Sequence, residues 1–376
     1  MDKIGDRPEQ DRAASVAEHI RLAQVVLPCR DLAADLAFFT DRLGFKLNLI
    51  FPADAPSTAV LVGHGLIVRL EAGAASAPPV TLRLLCDLAA LPAGTPQVLT
   101  TPGGTRIELV EARPPVAVPE GMQEFVLSRT GDEWGVGRAG MQYRDLIPSR
   151  LGGRFIASHI RIPVGGPVPD YVHFHRIRFQ MIYCKVGWAR LVYEDQGEPF
   201  LFKAGDCVLQ PPEIRHRVLE ASDGLEVVEI GCPAVHETIA DHVLSLPTQR
   251  LLPERDFGGQ RFVRHVAAEA PWAPWRWDGF EMRDIGIGAA TDGLAGARVV
   301  RPLAGSAAAN LRAHGGEFLF LFVLKGEIAL EMQRHGAHRL AASDSCVIPA
   351  GAGHALRAEA GSEILEVTLP AELTHA

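Results

Sequence analysis

The segment DYVHFHRIRFQMIYCKVGW (170–188) sets two histidines, His173 and His175, two residues apart among aromatic and branched neighbours. On a strand, residues i and i+2 share a face, so both imidazoles project the same way. Further on, FKAGDCVLQPPEIRHRV carries His216 behind a Gly-x5-Pro turn, Gly205 to Pro211, that would return a later strand beside the first pair. Three convergent neutral imidazoles suit a divalent first-row metal ion. Each ring needs one nitrogen for the metal, and the other is left for an acceptor that fixes its tautomer.

These residues resemble the two cupin motifs, H-x-H-x4-E ending at a Gly and G-x5-P-x-G-x2-H. His173, His175, Gly187, Gly205, Pro211 and His216 all stand at that spacing. An isolated His-x-His is ordinarily two plain strand histidines, and the six matched positions reverse that reading. Two positions depart from the pattern: Gln180 stands where the carboxylate ligand would be, and Glu213 where the second motif has glycine. A neutral amide is a weaker donor, so Gln180 would ligate through its oxygen, hydrogen-bond a metal-bound water, or leave a coordination position open. Without an anionic ligand the site keeps a full +2 charge and should prefer an anionic, bidentate oxygen ligand such as an enolate, a catecholate or an α-keto acid. Arg178 and Tyr183 flank the motif and are candidates to hold an anionic substrate or to move a proton, with Glu213 a second proton mover. The plainer alternative is an outward arginine and a core tyrosine.

Elements positioning such a site are legible from about Arg144 onward, as apolar runs of four to eight residues punctuated by Gly, Pro and Asp. This text repeats. MIYCKVGWARLVYED aligns with LFLFVLKGEIALEMQ, setting Gly187 against Gly326, and GDCVLQPPEIRHRVLEA aligns with SDSCVIPAGAGHALRAE, setting His216 against His354. Two copies of a strand-rich unit predict duplicated β-barrels. In the second copy the site positions hold Arg312, His314, Leu319 and His354. Two imidazoles beside a fixed guanidinium make a poor cation site, so the second barrel is expected to be structural. Trp272, Trp275 and Trp277 are expected to pack in a seam between barrels. His236, Glu237 and His242 stand at helix-like spacing and read as a solvated helix face.

Ahead of the barrels, LAQVVLPCRDLAADLAFFTDRLGFKLNLIF predicts strand, helix and strand, with Asp31 as N-cap and Gly44 as the stop. Apolar runs follow at 59–63, 66–71, 80–85 and 105–110, a βαβββ-like unit with a shortened partner. VVLPCRDLAADLAFFTDRLGF and TPGGTRIELVEA resemble the opening and close of a vicinal-oxygen-chelate, glyoxalase-like module. That resemblance would put metal ligands at Gln24 and Glu108, and no full ligand set follows. The expected fold class is therefore mainly β: an α+β βαβββ-type domain over 21–112, after an arm over 1–20, then a linker over 113–143 and cupin barrels over 144–245 and 246–376.

The chain of 376 residues carries 45 acidic against 37 basic side chains, a net charge of −8, with no basic run, so nucleic acid and anionic membrane are not expected partners. No run approaches the roughly 18 apolar residues of a membrane span, and the chain reads as soluble and cytoplasmic. Six scattered cysteines read as free thiols. What the cupin resemblance implies is one divalent metal per chain, Fe(II) favoured and Mn, Ni or Zn open. The expected activity is that of a dioxygenase cleaving a C–C bond of an anionic, chelating phenolic, enolic or diketone small molecule with O2. An O2-independent lyase or isomerase, or a non-catalytic binding module, are the alternatives. A shortened glyoxalase-like unit would leave apolar surface to cover, and a homodimer is expected.

Overall fold

The computed structural model describes the chain except residues 1–22, 53–55, 74–79, 132, 138–140, 304–306, 309–310 and 375–376. The expected arm over 1–20 lies outside the described residues. The chain divides into two compact units, one ending at Pro115 and one running from Val116.

The first unit holds β1 (Val25–Cys29), α1 (Leu32–Ala37), β2 (Lys46–Phe51), β3 (Thr58–Gly63), β4 (Leu66–Ala72), β5 (Thr81–Cys86), β6 (Val98–Thr100) and β7 (Arg106–Glu111). Asp31 caps α1 by accepting from the Ala34 amide at 3.0 Å, and the helix runs on through a π-helical turn to Leu43 before Gly44 turns left-handed at φ 70°. One sheet has the order β1-β4-β3-β2 with β1 parallel to β4, the other β5-β7-β6 with β5 parallel to β7. This is the expected βαβββ order followed by a shorter partner, in which a single 3-10 turn, Leu88–Ala90, replaces the helix. Leu27, Phe39, Leu61, Leu70, Leu82 and Ile107 share one core.

The second unit opens with β8 (Val126–Ser128), β9 (Gly135–Val136), β10 (Gln142–Asp145), β11 (Ile156–Ile162), β12 (Gly166–Pro167), β13 (His173–His175) and β14 (Phe179–Val186). There follow β15 (Trp188–Tyr193), β16 (Phe200–Lys203), β17 (Cys207–Leu209), β18 (His216–Ala221), β19 (Leu225–Cys232), β20 (Thr238–Ala240) and β21 (Val263–His265). Two sheets, β21-β17-β14-β19-β11-β10-β9 and β16-β15-β18-β13-β20, face each other as the first barrel. The second barrel repeats this plan, and its strand Phe318–Lys325 matches β14 at the expected offset. Both copies break register just before their glycine, at Cys184/Val186 and at Val323/Lys325. Glycine is required there: at Gly187 and Gly326, both left-handed, a Cβ would run into the hydroxyls of Ser222 and Ser362.

Side-chain parity explains the nearly continuous apolar runs. Along β14, Gln180 and Ile182 face the first barrel's interior, while Phe179, Met181 and Tyr183 face outward into a core shared with Phe318, Phe320 and Phe322 of the second barrel. A strand buried on both faces has no polar face to show. Phe155 and Phe318 stack across this seam with ring centroids 4.1 Å apart. Trp272 packs at the seam as expected, but Trp277 is buried inside the second barrel with Trp275 against it.

The segment expected as a linker instead carries three strands, and they do not all serve the nearer barrel. β9 and β10 extend the first barrel's sheet, whereas β8 pairs with Ser345–Val347 of the second. Conversely β21, from the stretch assigned to the second barrel, pairs with β17 of the first.

Candidate metal centre

Strands β13 and β18 pair antiparallel with His173 directly opposite His216, and His175 follows on the same face. All three are buried, and one nitrogen from each lies within 4.8 Å of the others. Their ring centroids stand 4.3 to 5.3 Å apart. In every ring Nδ1 meets a backbone carbonyl: Tyr171 for His173 at 2.8 Å, Glu237 for His175 at 3.2 Å, and Ile214 for His216 at 3.0 Å. A carbonyl only accepts, so each Nδ1 carries its proton and Nε2 is the nitrogen with a lone pair to give. The three rings are thus set in the tautomer that a shared metal requires.

They sit in a cavity of about 480 Å³ inside the first barrel. Its walls are largely apolar, with Ile156, Ile160, Ile182, Leu191 and Phe202 prominent. Gln180, 1% exposed, lines the same cavity; its Nε2 donates to Glu229 at 2.5 Å and its Oε1 is buried with no hydrogen-bond partner among the described residues. Gln210 repeats the pattern, Nε2 donating to the Tyr193 hydroxyl at 3.0 Å and Oε1 unpartnered among the described residues. Tyr193 itself stacks on His216. Buried carbonyl oxygens without donors are rare, and two beside three lone-pair nitrogens make a wall of electron donors suited to a cation. The residues present therefore fit a divalent metal ion.

Three sequence candidates lie elsewhere. Tyr183 has the opposite parity to Gln180 and is buried in the seam between barrels, where loss of solvation pushes its phenol further up from its ordinary range. Arg178 precedes β14 and forms a two-armed pair with Glu317 of the second barrel at 2.8 and 3.3 Å, so it fastens the barrels together. Glu213 lies outside the cavity lining, beside Arg176 at 3.6 Å, with φ 62°. That left-handed backbone is the physical reason for a glycine in this turn, and Gly351 fills the matching place in the second barrel at φ 73°.

Two lining residues went unrecognised in the sequence. His236 was expected on a helix face, but the chain there is a bend and irregular segment that leads into β20, which pairs with β13, and the His236 ring lies 5.3 Å from His175. Glu229 sits on β19, where Glu226 and Glu229 are three apart and must face opposite ways. Glu226 takes the outer face with His159 and Lys185, which leaves Glu229 to the cavity.

In the second barrel His314 accepts from the Gly316 amide through Nδ1 and donates through Nε2 to the Ile348 carbonyl, so neither nitrogen is left for a metal. Leu319, Leu321, Leu330 and Trp277 fill the interior. In the first unit, Glu108 is held by Arg83 and Arg106, which lower its pKa, and Gln24 is exposed. The histidine triad is the one cluster of three metal-ligating side chains among the described residues. All six cysteines are free. No described helix is long and apolar enough to cross a membrane.

No protein-family model matches the chain, and no curated protein sequence does. Solved structures do. The chain is similar to a salicylate 1,2-dioxygenase from Pseudaminobacter salicylatoxidans, with a TM-score of 0.50 at 14% identity over 69% of this chain and 90% of that one. It is similar also to an oxalate decarboxylase, with a TM-score of 0.50 at 12% identity over 69% of this chain and 80% of that one. A formate complex of Lactobacillus farciminis oxalate decarboxylase aligns at a TM-score of 0.48 and 14% identity over 69% of this chain and 90% of that one.

Proposed function

The chain has a mainly β, two-barrel cupin fold, and on that premise we propose that its first barrel binds one divalent metal ion through His173, His175 and His216, with Gln180 Oε1 as a further oxygen donor. The observation that carries this is the common tautomer: three Nδ1 atoms held by carbonyls, which puts the lone pair of each ring on Nε2, in three rings that line one largely apolar cavity. We read the protein as an Fe(II)-dependent dioxygenase that opens a C–C bond in a phenolic, enolic or diketone substrate chelating through two oxygens. When bound, the metal would supply Lewis acidity and, as iron, the redox chemistry that O2 needs.

The chain's own part is orientation and exclusion. Ile156, Ile160, Ile182 and Phe202 keep water from the substrate's carbon skeleton. Arg150, held to Asp145 at 2.8 Å on the cavity wall, offers a counter-charge for an anionic substituent. His236, its Nδ1 held by the Pro233 carbonyl at 3.1 Å, turns a hydrogen-bonding edge toward the substrate space beside His175.

The test is anaerobic purification, metal analysis and O2 uptake against catechols, gentisate-like acids and 1,3-diketones. Substrate loss should track O2 uptake with Fe(II), and His175→Ala should abolish both. Zn(II) has no accessible redox change, so zinc-loaded protein should be silent. Full turnover by an anaerobic zinc-loaded sample would overturn the dioxygenase reading in favour of an O2-independent lyase or isomerase.

A further inference from the structure

The first barrel carries a carboxylate on its cavity wall, Glu229, that makes no ion pair among the described residues, although Arg150 and Arg217 line the same cavity. Glu229 lies opposite Ile182 in the β14–β19 ladder, and its partner among the described residues is the Gln180 amide. The second barrel contains the same arrangement: Glu366 lies opposite Leu321, the residue matching Ile182, and shares the inward face with Ile364. There the carboxylate is 1% exposed and clamped by Arg276 at 2.6 Å, with Arg298 at 3.5 Å. One fold position thus holds a carboxylate twice, once clamped by arginines and once bonded, among the described residues, to an amide. Glu229 is half-buried, a carboxylate on an apolar wall is stabilised by a cation beside it, and in the first barrel three histidines line the same cavity.

We propose that Glu229 is a positioning residue for the metal centre: it aims the Gln180 carbonyl oxygen at the histidine triad and supplies the negative charge that the missing carboxylate ligand would have carried. This rests on the metal reading above. The orientation follows from hydrogen-bond chemistry. An ionised carboxylate only accepts, so the amide can face it only with Nε2, and Oε1 must turn the other way. The observed Oε1 is buried and, among the described residues, unpartnered, on a side chain that lines the cavity. A carboxylate at Glu229 polarises that amide and strengthens its oxygen as a donor, while the group nearest the metal stays neutral. The net charge of a loaded centre becomes +1 in place of +2, which suits a monoanionic chelating substrate.

Zn(II) affinity, measured by competition with a chromophoric chelator, tests this without any turnover. Glu229→Gln presents an amide that can donate or accept, so the lock and the charge are both lost, and affinity should fall by roughly 10- to 100-fold. The thermal midpoint of the metal-free variant should not fall, because the carboxylate removed makes no ion pair among the described residues. Exchanging the pair, Gln180→Glu with Glu229→Gln, restores one carboxylate and one amide in contact and should bring affinity back to the wild-type level or tighter. Co(II) absorption bands should shift in the single variant, since donor strength at the metal changes. Glu229→Asp keeps the charge but shortens the reach, and should give an intermediate loss even where the amide variant fails to fold. Affinity in Glu229→Gln within about twofold of wild type, or an exchanged pair that folds without recovering, would overturn the proposal. Wild-type protein that takes up no Zn(II) would overturn the metal reading itself, whereas tight wild-type binding with an indifferent Glu229→Gln would sink this inference alone.

Discussion

Replacing Glu213 by glycine should make this protein more stable and leave its histidine triad intact. The residue holds φ at 62°, a region that costs an L-residue about 1 to 2 kcal/mol. Glycine removes that strain and adds about 0.5 to 1 kcal/mol of chain entropy to be lost on folding. The ion pair with Arg176 is loose at 3.6 Å, and the Glu213 side chain is 45% exposed, so its loss is small after solvent screening. The net expectation is about 0.5 to 1 kcal/mol of added stability, or roughly 1 to 4 °C in thermal midpoint for a unit of this size. Glu213→Ala is the control, since it discards the carboxylate but keeps the strain, and it should be neutral or slightly destabilising. Gly351→Ala, the reverse change at the matching turn, should cost about 1 kcal/mol. Differential scanning calorimetry reads all three, alongside metal content and turnover. A Glu213→Gly variant that melts below Glu213→Ala would refute the strain argument. One that melts higher but loses turnover would return Glu213 to the list of proton movers.

Tyr183→Phe should keep metal content and turnover, because the phenol faces the seam between barrels; a large loss of turnover with an unchanged melt would contradict that placement. Glu226 is held down to about 2 by His159 and Lys185, and desolvation lowers His159 as well. A depressed carboxylate contributes stability above its ordinary range and loses it as pH falls toward the folded value, and a depressed histidine resists the proton that acid would add, so both act the same way. Thermal midpoints should drop from pH 6 to pH 3 (about three pH units), and less steeply in Glu226→Gln; equal slopes would remove this pair as a cause. Strand β2 exposes Leu47, Leu49, Ile50 and Phe51, and we expect a homodimer on that account, which sedimentation velocity showing a strict monomer at micromolar concentration would exclude.

Most of the barrel architecture was legible because a duplicated pattern leaves two witnesses. The offset that aligned Gly187 with Gly326 also aligned β14 with Phe318–Lys325 and their paired bulges. The triad was legible because two of its members share a strand face and the third ends a turn of fixed length. Tyr183 could have been excluded on parity alone, being three residues from Gln180 on one strand. Glu229 was harder: its partner is 49 residues away, and only the pairing of β14 with β19 sets it beside Gln180. His236, Glu237 and His242 stand at helical spacing, yet the β-branched Thr238 and Ile239 between them form strand β20. Glu213 looked like chemistry because it is a carboxylate near the site, while the demand at that position is a backbone angle.

The crossing of β8 and β21 has a consequence for how the chain is made. Ser128 finds its ladder partner only when Ser345 exists, more than two hundred residues later. At about 5 to 20 residues per second, β8 waits on the order of 10 to 40 s for its sheet. The first barrel cannot close its own edge until Val263–His265 emerges, well past the last histidine of the site. Cutting the chain between the copies, at 245, would leave one product without an edge strand and the other without its opening one. The two barrels are therefore a single unit of assembly, each completed by a piece of chain that the other half delivers.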